Sequence, residues 1–231
     1  MTEGRILVIG DIHANLTLLR QLLAKIKPTA ADELIFLGDY IDRGTDGWGV
    51  LKEVYGLTQK LPKVICLQGN HEQMLLDRLD GRASLKALLQ ADPTPFYSGD
   101  NSIAQLQAAA EKEPALLAEI LRWLQALPSH YERNGIHFSH AGCNPDLPLE
   151  QQTPADFVWP REEFYEGYRG DALWLIGHTP VQNVRGRDEE PLPLFLENNV
   201  IMLDTGAFLQ GGRLSCMELV NGEIYQVENQ N

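Results

Sequence analysis

Basic residues are scarce in this sequence. Its 231 residues hold 19 lysines and arginines against 32 aspartates and glutamates, a formal net charge of −13 at pH 7. Binding to a nucleic-acid backbone draws on clustered cations, so no nucleic acid is expected as a partner. The same surface is unsuited to anionic membranes. Long apolar runs are also missing: no window approaches the roughly 18 consecutive apolar residues of a membrane span. Met1-Thr2-Glu3-Gly4 has neither the basic nor the apolar region of a signal peptide. Cysteine is nearly absent. Cys66, Cys143 and Cys216 are odd in number, far apart and in no metal-ligand spacing, which reads as small buried side chains in a reducing, cytoplasmic setting.

What is present is ordinary material for a packed core, with 44% hydrophobic and 22% charged residues. The length allows one α/β domain or two small ones. No repeat, low-complexity tract or linker divides the chain, so one domain over 1–231 is expected. Residues 5–9 are a β-rich run, 15–26 carry apolar residues at helical spacing, and 34–37 form a second strand. A helix over 48–60 and a third strand over 64–67 follow, a βαβ alternation that predicts mostly parallel strands. Residues 81–132 read as a helical insertion or lid without a strand, interrupted at Asp92-Pro93-Thr94-Pro95. Strands return at 136–139, 173–176, 200–204, 214–219 and 224–227, with Asn221-Gly222 as a hairpin turn. The run from Arg185 to Pro191 reads as an exposed loop.

Chemistry concentrates where strands end. Gly10-Asp11-Ile12-His13, Gly38-Asp39-Tyr40-Ile41-Asp42 and Gly69-Asn70-His71-Glu72 follow the first three strands. His140 and His178 follow two later ones. In an open parallel sheet the carboxyl ends of neighbouring strands lie together and ligands bind outside them. A single loop histidine, or one aspartate beside glycine, is ordinarily structural. Five clusters of one pattern in strand order are not. Of the six histidines, only His130 and His137 lack such a setting.

Asp11, His13, Asp39, Asn70, His140 and His178 offer oxygen and nitrogen donors and no thiolate, a set suited to Mn²⁺, Fe²⁺ or Zn²⁺. Six donors exceed what one catalytic metal with open positions takes, but fit two metals sharing a carboxylate.

The ordered series Asp11-x-His13, Gly38-Asp39-x-x-Asp42-Arg43-Gly44, Gly69-Asn70-His71-Glu72, His140-Ala141-Gly142 and Gly177-His178-Thr179-Pro180 resembles the phosphoprotein phosphatase family of calcineurin-like metallophosphoesterases, most closely its bacterial and phage branch. The resemblance runs from residue 5 to residue 228. It implies an α/β fold of two sheets flanked by helices, and a pair of divalent ions, Mn²⁺ foremost. Asp11 and His13 would hold the first ion, Asp39 would bridge, and Asn70, His140 and His178 would complete the second. His71 would be the general acid, with Asp42 orienting it. Arg43, Arg161 and Asn70 would grip the phosphate. A hydroxide shared by the metals would attack phosphorus in line, without a phosphoenzyme.

Two departures stand out. Ala14 replaces the usual glycine of the first motif, and Gln68 stands where many members carry another phosphate-gripping arginine. The implied activity is a phosphomonoesterase on phosphoserine and phosphothreonine in proteins, with phosphotyrosine as an extension. The alternative on the same fold is a symmetrical hydrolase of diadenosine tetraphosphate, whose members more often carry aspartate at the position of Glu72. A broad phosphodiesterase and a non-catalytic sensing module rank below both.

Overall fold

The computed structural model describes residues 4–79, 81–94, 102–186 and 189–230. The first half alternates as read from the sequence. Strands β1 (Ile6–Ile9), β2 (Glu33–Phe36) and β3 (Val64–Cys66) are separated by helices α1 (Leu16–Ile26) and α2 (Gly47–Lys60), and α3 (Asn70–Arg78) follows β3. These strands pair in parallel. Strands β9 (Arg213–Glu218) and β10 (Ile224–Glu228) add antiparallel on the other side of β1, giving the order β10-β9-β1-β2-β3.

Helices α4 (Leu85–Gln90), α5 (Ser102–Lys112) and α6 (Pro114–Gln125) fill the stretch read as helical. Their Leu88, Leu106, Leu117 and Leu121 share one buried cluster with Leu51 and Val54 of α2. The Trp48 indole and Lys52 ammonium both donate to the Glu113 carboxylate. Pro95 lies outside the described residues.

One expectation fails here. The stretch 81–132 was expected to hold no strand, yet β4 (His130–Arg133) pairs antiparallel with β5 (Ile136–Ser139). The physical reason is the two-residue turn Asn134-Gly135, both at positive φ (53° and 77°), the geometry that matches strand twist in a tight hairpin. Beyond β5 come α7 (Pro154–Val158), α8 (Glu162–Tyr165), β6 (Leu173–Ile176), α9 (Val181–Arg185), β7 (Leu194–Phe195) and β8 (Val200–Met202). Strands β5, β6 and β8 are parallel, with β4 and β7 antiparallel at the edges, in the order β4-β5-β6-β8-β7. Arg185 closes α9 instead of opening a loop, and Arg187 and Asp188 of that run lie outside the described residues.

Strand alternation builds the layers. Val8, Ile35, Phe138, Leu175 and Ile201 meet between the sheets. Leu7, Ile9, Leu34 and Phe36 face the other way, onto Leu19, Leu22 and Val50 of α1 and α2. Trp174, Ile176, Val200 and Met202 pack against Phe157, Val158 and Phe164 of α7 and α8. The fold is therefore an α/β sandwich of two mixed sheets flanked by helices. Cys66, Cys143 and Cys216 are buried free thiols.

Asp32 fastens the start of β1 to the turn before β2. Its carboxylate accepts from Arg5 N, Nε and Nη2 at 2.9, 3.2 and 2.9 Å, and from Thr29 N and Oγ1 at 2.8 and 3.0 Å. The Arg5 guanidinium holds this carboxyl well below its ordinary value. A depressed folded value means the contribution is present above the unfolded value of 3.8 and is lost as pH falls through the folded one. Asp32→Ala is expected to cost about 2 kcal/mol at pH 7, by loss of charge-assisted hydrogen bonds. The gap between the two urea curves should narrow below the unfolded value.

Candidate metal centre and phosphate site

Every donor singled out in the sequence sits one to four residues past a parallel strand: Asp11 after β1, Asp39 after β2, Asn70 after β3, His140 after β5 and His178 after β6. The parallel cores of both sheets thus deliver their loops to one place. The backbone there is unusual. His13, Ala14, Asp39, Asp42, Arg43 and His178 all have positive φ, between 47° and 67°. L-residues avoid this region, and such conformations persist only where surrounding contacts over-determine them. At Ala14 the positive φ of 54° explains why glycine would suit the position.

Much of that over-determination comes from Glu72. This fully buried carboxylate accepts from Asp39 N (2.9 Å), Tyr40 N (2.9 Å), Ile41 N (3.3 Å) and Gly69 N (3.0 Å). It ties the loop after β2 to the loop after β3. Burial, with Asp39 nearby, pushes its carboxyl up to about 7. A glutamine here offers one acceptor oxygen and turns its NH₂ toward other N–H groups. Glu72→Gln should therefore cost about 3 kcal/mol, roughly two buried N–H groups left unsatisfied, read from urea midpoints.

Two groups of acceptor atoms meet at Asp39. On one side His13 Nε2 lies 3.5 Å from Asp39 Oδ2 and 4.0 Å from Asp11 Oδ2. On the other, His140 Nε2 lies 3.4 Å from Asp39 Oδ1, 2.9 Å from Asn70 Oδ1 and 3.2 Å from His178 Nδ1. Asn70 Oδ1 is also 2.9 Å from His178 Nδ1. All six residues are buried.

The protons decide what this arrangement suits. His140 Nδ1 is 2.9 Å from the Leu37 carbonyl and His13 Nδ1 is 3.2 Å from the Ile41 carbonyl, so each Nδ1–H donates there. In the neutral rings both Nε2 atoms are then lone pairs, aimed at the carboxamide and carboxylate oxygens of Asn70 and Asp39. At His140 burial works to lower the imidazole pKa, but the Asp39 carboxylate outweighs it and raises the value, the pull of an anion for a cation at Nε2. Acceptors converging on acceptors in a buried site call for cations between them. Histidine whose second nitrogen is fixed by a carbonyl is the usual form of a metal ligand. Burial pushes His13 down to about 3, and holds the Asp11 carboxyl well above its ordinary value against Asp204 and Asp39. The donor set fits divalent metal, and the two groups that could hold it, His13–Asp39–His71 and Asp39–His140–His178, share Asp39.

His71 belongs to the first group by distance, with Nε2 3.8 Å from Asp39 Oδ2. Its Nδ1 lies 2.8 Å from Asp42 Oδ2. Burial works to lower its pKa, but Asp39 and Asp42 outweigh it and raise the imidazole above its ordinary value. Arg43 stands over the Phe208 ring, Cζ 4.5 Å from the centroid, and that ring also meets His13 edge-on at 4.9 Å. Arg161 Nη1 donates to Thr179 Oγ1 at 3.0 Å, beside His178. Gln68 is nearly buried, and its backbone N–H donates to the Pro128 carbonyl.

Three more residues join the site without having been assigned a role from the sequence, although the stretch Leu203-Asp204-Thr205-Gly206-Ala207 also resembles the family. Ser102, at the start of α5, accepts from Asp42 N at 3.0 Å. Asp204 is buried with Oδ2 lacking a partner among the described residues, its carboxyl pushed up to about 6 by burial. Phe208 is the third. Asp204 stands in a Leu-Asp-Thr-Gly stretch after β8, a strand-end aspartate of the same kind as Asp11 and Asp39, which was the available signal. Ser102 and Phe208 leave no local trace.

Residues 4–204 match the calcineurin-like phosphoesterase family. The chain belongs to that family. This metallophosphoesterase is accordingly a hydrolase, of a family that is metal-dependent. It is 32% identical over 222 residues to serine/threonine-protein phosphatase 1 of Salmonella typhimurium, covering 90% of this chain and 88% of that protein. It is 33% identical over 180 residues to the symmetrical bis(5'-nucleosyl)-tetraphosphatase of Paraburkholderia phymatum, covering 78% of this chain and 56% of that one. Among solved structures, a serine/threonine phosphatase from Saccharomyces cerevisiae superimposes with a TM-score of 0.62 at 15% identity, over 98% of this chain and 80% of the other. A cold-active protein-tyrosine phosphatase from Shewanella gives 0.61 at 18%, over 97% and 80%. At those identities the structures support the fold. Among the described residues no helix is long and apolar enough to cross a membrane.

Proposed function

We propose that this metallophosphoesterase hydrolyses phosphomonoesters on serine and threonine side chains of proteins. The observation that carries the reading is one buried carboxylate, Asp39, serving two acceptor groups beside a His71–Asp42 pair. Asp11 and His13 would hold one divalent ion, Asn70, His140 and His178 the other, and Asp39 both. Mn²⁺ suits the mixed oxygen and nitrogen donors, with Fe²⁺ and Zn²⁺ as the alternatives. When bound, such a pair supplies an activated water nucleophile and neutralises charge on the phosphoryl oxygens.

The chain's own residues then divide the remaining work. His71, fixed through Nδ1 by Asp42, presents Nε2–H to the leaving alkoxide oxygen. Its pairing with Asp42 favours the proton-bearing form, which suits an acid and not a metal ligand. Arg43, braced by Phe208, and Arg161 bind phosphoryl oxygens with charge-assisted hydrogen bonds. Asn70, whose Oδ1 faces the histidines, keeps its amide N–H groups for the phosphate.

Identity and length taken together support a phosphoprotein substrate: the Salmonella phosphatase aligns at 32% identity over nearly all of both chains, the Paraburkholderia tetraphosphatase at 33% over about half of its own, and asymmetrical tetraphosphatases align as fully but at only 24% to 26%. The neutral Gln68 favours the second reading, a dinucleotide polyphosphate hydrolase. Metal-stripped protein reconstituted with Mn²⁺ decides between them. Phosphate release from a phosphothreonine peptide, with diadenosine tetraphosphate inert, is expected. Rapid conversion of the dinucleotide to ADP beside a slow peptide rate would overturn the proposal.

A further inference from the structure

A cavity of about 980 Å³ lies beside the proposed metal centre and has no part in the chemistry above. Its walls include His137, Trp159, Tyr168 and Trp174. Trp159 joins cavity to site: its ring meets the His178 ring edge-on at 6.5 Å, and its Nε1–H donates to Gln73 Oε1 at 2.7 Å, on the helix that carries Asn70 and His71. Three of the eight large hydrophobic side chains exposed among the described residues, Leu147, Leu149 and Trp159, stand on this one cavity. Isolated exposed apolar residues need no explanation, but a cluster lining a concavity marks a binding site.

One further observation defines the occupant. The rim is acidic: Asp146, Asp156 and Glu163 line it against the one arginine Arg169, within a segment (142–172) that carries seven carboxylates against two arginines. A ligand seated here brings apolar groups and positive charge. A polyanionic dinucleotide brings the wrong sign to that rim.

We infer that this cavity is a specificity subsite for a basic and apolar segment flanking the phosphorylated residue of a protein substrate. The inference rests on the phosphoprotein reading of the site. An extended chain advances about 3.3 Å per residue, so the segment lies about two to four residues from the phosphate.

The test uses two phosphothreonine peptides with leucine at two to four residues on both sides of the phosphate. In one the remaining flanking positions are arginine, in the other glutamate. The metal-loaded enzyme should turn over the basic peptide with kcat/KM about tenfold higher, through KM, as two rim charge pairs of ordinary strength would give. In the double variant Asp146→Asn, Glu163→Gln the ratio should fall below about twofold on the same arithmetic. The ratio is measured on one preparation, so loss of active protein does not move it. Equal rates on both peptides, or a ratio indifferent to the double variant, overturns the subsite while leaving the phosphatase reading intact. Failure on both peptides with turnover of diadenosine tetraphosphate overturns that reading instead. Tryptophan fluorescence with the unphosphorylated peptides then decides the cavity on its own: a change with the basic peptide alone supports the subsite, and no change, or one with the dinucleotide only, overturns it.

Discussion

Replacing His71 with asparagine is expected to lower kcat on a phosphothreonine peptide by about 10³-fold, within the range that a positioned general acid contributes. The same variant should lose only about tenfold on p-nitrophenyl phosphate, because nitrophenolate leaves without protonation. A ligand role for His71 predicts equal losses on both substrates and reduced metal content. The geometry favours the acid: Nδ1 is committed to Asp42 at 2.8 Å, and the raised pKa keeps the proton on the ring. The sign of the pH effect follows. An acid must be protonated to act, so activity falls as pH rises through the His71 value. That value lies above the ordinary 6.5. The alkaline limb should be absent in His71→Asn, and Asp42→Asn should shift it to lower pH by removing the charge that holds the proton.

Asp39→Asn carries the second large effect. Asparagine keeps the shape but offers one acceptor oxygen and no charge. Oδ2 of Asp39 faces His13 while Oδ1 faces His140, so the substitution disarms one side and weakens the other. Losing the several kcal/mol of charge stabilisation that a metal supplies corresponds to at least about 10³-fold in kcat/KM. Metal content, measured on the same dialysed preparation, should drop from two ions per chain to one or fewer. The N–H groups of Asp39, Tyr40 and Ile41 still reach Glu72, so the loop should keep its conformation and the variant should fold.

The donors were legible in the sequence for a physical reason. Each stands in a glycine-flanked loop immediately after an apolar run, and parallel strands bring such loops together whatever their separation along the chain. The βαβ half was legible because its strands are buried on both faces and its helices are long enough to show periodicity. β4 was not, since His130-Tyr131-Glu132-Arg133 lies at a sheet edge with little apolar content, and only the Asn134-Gly135 turn announces it. Helices α7, α8 and α9 have five, four and five residues, too short for a 3.6-residue period to register. Glu72 was visible as part of a motif, but its service to four backbone N–H groups was not. The contact of Ser102 with Asp42, 60 residues apart, is equally invisible without the packing of α5 against α2.

A pair of divalent ions bridged by Asp39 is the central claim, and low-temperature electron paramagnetic resonance of the Mn²⁺-loaded protein tests it most directly. Titration of metal-free protein should saturate at two ions per chain, with the multiline signal of exchange-coupled Mn²⁺, and Asp39→Asn should abolish the coupling. Saturation at one ion, or two ions giving only the six-line signal of isolated Mn²⁺, would contradict the account.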